Sequence, residues 1–128
     1  VATDPNWAAK VDLDRIGMVG HSLGASTAQA LAGAEINPER LAAACEPSQI
    51  NVNMSLYLQC QARFLPPQRQ SLSDTRIKAD ISANGLSSGL YGPEELGKIH
   101  IHFMMVTDAK DVVAPRNVGQ KHTIIWVG

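Results

Sequence analysis

The 128-residue chain alternates short apolar runs with segments in which apolar residues recur at helical spacing. Arg15 to Gly20, "RIGMVG", reads as a strand, and Leu23 to Ala34, "LGASTAQALAGA", as a helix whose small residues allow it to lie close to a sheet. "RIKADISANG" predicts a strand from about Ile77 to Ile81, "GPEELGKI" a short helix, "IHFMMVTD" a buried strand and "HTIIWVG" a last strand. Near the start, "WAAKVDL" reads as the end of a helix. Between these, residues 35–73 hold a short helix begun at Pro38, an apolar helical piece "MSLYLQCQARF" and the breaker "LPPQRQ", which together read as a lid-like or inserted segment. Strands joined by helical connections predict an α/β domain over residues 1–128, with a mostly parallel sheet flanked by helices.

Composition adds exclusions more than identity. Hydrophobic residues make up 45% and charged residues 18%, close to globular averages, so the chain can bury a core. A net charge of -1 with no like-charge run points away from nucleic acid and from anionic membranes, and no apolar run is long enough for a membrane span. Cys45 and Cys60 lack metal-type spacing; they fit two buried thiols or one disulfide, with thiols the expected state.

The chemistry concentrates in "IGMVGHSLGAST", where Ser22 stands between Gly20 and Gly24. A serine hydroxyl is a weak nucleophile and must be raised clear of the backbone, near a base and beside N–H groups that can hold an oxyanion. A sharp strand-to-helix turn provides this, with tiny residues on either side because strand and helix nearly touch. A bare G-x-S-x-G match arises by chance in roughly 4% of chains this long, so the flanking strand and small-residue helix carry the weight. Ser22 is the candidate nucleophile and the Leu23 N–H the candidate oxyanion donor; the competing reading is a structural Gly-Ser turn.

"DLDRIGMVGHSLGAST" resembles the serine α/β-hydrolases described as predicted dienelactone hydrolases, related to platelet-activating-factor acetylhydrolase-like esterases and, more distantly, to cutinase-like polyester hydrolases. "SLYLQCQA", "DTRIKADISANG", "GLYGPEEL" and "HIHFMMVTDAKDVVAP" extend the resemblance over most of the chain from Asp12 onward. It implies a carboxylic ester hydrolase working without cofactor through an acyl-enzyme on Ser22. In that family the strand after the "GPEEL" helix leads to an aspartate with a proline four residues on, which places the catalytic acid at Asp111, before Pro115. Two departures stand out. Asp108 occupies a position usually held by glycine and competes for the acid role, and Ala25 replaces a frequent third glycine. Independently, hydrolases of this architecture order their triad Ser, acid, His along the chain, beyond the carboxyl ends of strands, and Asp111 follows "IHFMMV".

Of four histidines only His122 follows Asp111, and it opens its strand, roughly 13–16 Å from that strand's carboxyl end. The expected base therefore lies beyond Gly128, with His122 the alternative. His21 is expected to shape the pocket from beside Ser22, and His100 and His102 to be polar residues at a strand's start and not metal ligands. With few residues before the first strand, the chain is expected to be the C-terminal portion of a hydrolase domain, lacking one oxyanion donor and prone to self-association. Two function classes follow: a serine esterase for small-molecule esters, or a catalytically silent hydrolase fragment or binding module. A metal-dependent hydrolase ranks behind both.

Overall fold

The computed structural model describes residues 2–50, 53–66, 71–107 and 126–127. Strand β1, Ile16–His21, leads through Ser22 into helix α1, Leu23–Ala32. Gly33 ends α1 two residues before the predicted boundary, taking φ 123, a left-handed conformation that a residue without a Cβ adopts at no steric cost. The predicted helix around "WAAKVDL" is absent: residues 5–10 form turns, with the Trp7 and Ala8 N–H groups both donating to the Asp4 carbonyl.

The middle segment folds as short helices: α2 (Pro38–Ala44), α3 (Pro47–Ile50) and α4 (Met54–Gln59), followed by a 3-10 turn over Cys60–Phe64. Pro38 begins α2 as expected, and the Asn37 side chain caps it by accepting from the Arg40 N–H at 2.8 Å. Asn53 caps α4 in the same way through the Leu56 N–H. The expectation of free thiols is overturned, because Cys45 and Cys60 form a disulfide with a Cα–Cα separation of 5.7 Å. Both cysteines sit in the core cluster with Leu41, Leu90, Tyr91, Ile99, Phe103 and Met105, so the bridge joins the end of α2 to the end of α4 within the helical excursion and packs against the body of the domain. Helices this short are marginal alone, and a cross-link across 15 residues reduces the entropy of the unfolded chain by about 3 kcal/mol. Cys60→Ser is accordingly expected to lower unfolding free energy by 2–4 kcal/mol in denaturant titration. An unchanged midpoint for the variant would show that the bridge adds nothing to the fold.

Strand β2 (Ile77–Ala83), helix α5 (Pro93–Leu96) and strand β3 (His102–Val106) complete the α/β pattern. The sheet order is β1-β2-β3-β4. The first three strands are parallel, whereas β4, Trp126–Val127, runs antiparallel to β3, so the expected parallel run stops at three strands. Partners across the sheet share a face: Met18, Asp80 and Phe103 form one row, and Gly20, Ser82 and Met105 the next. This face receives α1, whose Ala25, Ala28 and Gln29 are fully buried. The other face carries Val19, Ile81 and Met104, and there Val19 is 76% exposed. Among the described residues no helix is long and apolar enough to cross a membrane.

Candidate active site

The carboxyl ends of three parallel strands bring His21, Ala83 and Val106 into one row, and Ser22 follows immediately after it. Ser22 adopts φ 58 and ψ -121, a backbone state that costs a non-glycine residue on the order of 1–3 kcal/mol. Neighbouring backbone holds it there from both sides. Its N–H donates to the Ala83 carbonyl at 3.0 Å, while its carbonyl accepts from Ala25 at 3.1 Å and Leu86 at 3.3 Å. The loop after β2 therefore clamps the turn from the adjacent strand.

Serine at the start of a helix ordinarily takes extended dihedrals and caps the helix with its hydroxyl. Ser22 does neither: its side chain makes no capping bond, and the residue is half-buried. Leu23 is the first residue of α1, and its N–H finds no backbone acceptor among the described residues. That N–H also sits at the positive end of the helix dipole, where negative charge is stabilised by some 0.3–1 kcal/mol at exposed sites.

The two fencing glycines turn out to do different things. A Cβ on Gly20 would lie 2.7 Å from the Ala25 Cα and closer still to the Gly24 carbonyl, so the tight approach of strand and helix excludes any side chain there. A Cβ on Gly24 would meet nothing within 4 Å. The expectation that both must be tiny therefore holds for Gly20 alone; Gly24 contributes the carbonyl that Gly20 must accommodate.

The remaining candidates divide by position. Asp108, Asp111, Pro115 and His122 lie outside the described residues. His21 ends β1 exposed, next to Ser22 in sequence. His102 begins β3 opposite Ala79, four residues before the row that ends at Ala83 and about 13 Å from it, at the amino end of the strand as expected; His100 precedes it and is exposed. Among the described residues no group of three or more His, Cys, Asp or Glu is placed to hold a metal ion.

No protein-family model, curated protein or solved structure matches the chain.

Two features beneath the site were not legible from the sequence. Asn84 adopts φ 44 just past β2, and its N–H donates to the Val106 carbonyl at 2.8 Å, linking the ends of β2 and β3 beside Ser22. Asp80 and Ser82 are buried on the face of β2 that lies under α1. Burial pushes the Asp80 carboxyl up to about 6, partly offset by a hydrogen bond from Ser82. Burial also raises the Tyr91 hydroxyl to about 12; it donates to the Ser26 carbonyl at 3.1 Å.

Proposed function

We propose that the protein is a serine hydrolase of the α/β-hydrolase type that cleaves carboxylic esters of small molecules through an acyl-enzyme on Ser22. The observation that carries this reading is the strained backbone of Ser22 at a strand-to-helix turn, with a hydroxyl that does not cap the helix it begins. A structural serine in that place would relax to extended dihedrals and cap α1.

In the proposed reaction the Ser22 Oγ attacks the ester carbonyl carbon while a histidine accepts the hydroxyl proton. The carbonyl oxygen becomes an oxyanion, towards which the Leu23 N–H donates. The tetrahedral intermediate collapses, the alkoxide leaves with the proton returned by the histidine, and water then cleaves the acyl-serine by the same steps. Asp111 is assigned to orient the histidine and stabilise its charged form. The support for Asp111 is chemical and sequential: it follows β3, whose carboxyl end shares a row with the end of β1.

The test is hydrolysis of short- and medium-chain p-nitrophenyl esters by the protein as the cell makes it. We expect Asp111→Asn to lower turnover by about three to four orders of magnitude with an unchanged thermal midpoint, since a wrongly held base loses most of its effect. Asp108→Asn is expected to stay within several-fold of wild type. The reverse ranking would move the acid to Asp108, and an absence of hydrolysis across the ester series would leave the domain a silent or binding module.

A further inference from the structure

Beneath the Ser22 turn lies a buried polar chain that the proposed reaction does not use. Asp80 is 1% exposed, Ser82 is fully buried, and both face α1. The Ser82 hydroxyl lies 2.9 Å from Asp80 Oδ2 and 3.3 Å from the Ala25 carbonyl oxygen, two acceptors for one proton. Among the described residues, Asp80 Oδ1 has no hydrogen-bond partner. Ala25 belongs to the first turn of α1, and its own N–H donates to the Ser22 carbonyl.

We propose that Asp80 and Ser82 form a proton-operated latch between β2 and α1, which ties the helix to the sheet when Asp80 is neutral and releases one bond when it is charged. A charged Asp80 accepts the Ser82 proton, and the Ala25 carbonyl loses its bond to the sheet. A neutral Asp80 carries its own O–H, donates it to Ser82 Oγ, and turns the Ser82 proton towards Ala25. The same residue then links strand, hydroxyl and helix in one directed chain.

Among the described residues, no other ionisable group on the neighbouring elements competes for this role. Helix α1 carries none. On β1, His21 pairs with Ala83, and on β3, His102 pairs with Ala79; both registers put these side chains on the opposite face from Asp80. On β2 itself Lys78 is exposed, with its Nζ donating to the Thr75 carbonyl at 2.6 Å, and just before the strand exposed Arg76 pairs with Asp74. Tyr91 reaches α1 through the Ser26 carbonyl and titrates far above this range.

The sign follows from the raised carboxyl. Between the ordinary aspartate value of 3.8 and about 6 the folded protein holds a proton that the unfolded chain has released, so stability falls as pH rises through this window and levels off above it. Full release of that proton corresponds to about a hundredfold change in the folding equilibrium.

The latch bears on the Ser22 reading only by position, and its test reads folding and not turnover, so either can fail alone. Denaturant unfolding and amide exchange are measured from pH 3.5 to 8 on wild type, Asp80→Asn and Ser82→Ala. Wild type is expected to lose up to about a hundredfold in stability across pH 4 to 6.5, with protection of the first-turn amides of α1 falling in parallel. Asp80→Asn, a permanent donor at this position, is expected to remove that pH dependence and hold α1 protection at its low-pH level. Ser82→Ala is expected to leave α1 protection independent of pH. Carbon NMR of the wild-type Asp80 carboxyl supplies a readout that needs no variant. A carboxyl midpoint near 4, or α1 protection in Asp80→Asn that follows pH as in wild type, would overturn the latch.

Discussion

Replacing Ser22 by alanine is expected to lower ester hydrolysis by about four to six orders of magnitude, because members of a catalytic unit fail together and only binding and oxyanion stabilisation remain. The fold should hardly notice. Alanine inherits the same φ 58, and the backbone bonds from Ser22 to Ala83, Ala25 and Leu86 do not involve the side chain. Ser22→Gly sharpens the contrast. Glycine adopts positive φ without penalty, so this variant is expected to gain about 1 kcal/mol of stability while losing turnover as fully as alanine. A protein stabilised by deleting one side chain and silenced by the same change keeps that side chain for chemistry. Calorimetry and p-nitrophenyl ester kinetics on the two variants check both halves, and full turnover in either would remove Ser22 from the mechanism.

Gly20 is the second position of large effect. An alanine there drives its Cβ into the Gly24 carbonyl and against the Ala25 Cα, and both are backbone atoms that cannot rotate away. Either α1 lifts from β1 or the turn at Ser22 opens. We expect Gly20→Ala to cost about 3 kcal/mol or more, a large share of the 5–15 kcal/mol that holds an ordinary domain together. Gly24→Ala is the control, since its Cβ meets open space and alanine favours the helix by up to about 1 kcal/mol. Equal stability losses for the two variants, read from urea unfolding, would contradict the packing described for this turn.

The strands were legible because they are apolar runs of ordinary length, and β1, β2 and β3 lie within two residues of where the pattern placed them. Helix α1 was legible for a different reason: its alanines and serines match the close approach that Gly20 requires. The turn at Ser22 could be read because the close approach of β1 and α1 demands glycine at one fixed offset. Tertiary effects account for the failures. "WAAKVDL" carries helix formers, yet with Trp7 55% and Val11 39% exposed it buries too little to offset the cost of helix nucleation. The disulfide depends on how α2 meets the 3-10 turn, which spacing alone does not encode. Asp80 and Ser82 reverse the usual alternation because a helix without charged side chains covers them. Asp111, read as the acid, and His122, the alternative to a base beyond Gly128, both lie outside the described residues.

The most direct measurement is the site of covalent capture. A fluorophosphonate reacts with serines activated by a base and an oxyanion site and leaves ordinary surface serines untouched. Treatment of the protein as the cell makes it, followed by peptide mass spectrometry, is expected to place a single adduct on the peptide containing Ser22, and prior denaturation should abolish it. An adduct on another serine with Ser22 unmodified would contradict the account.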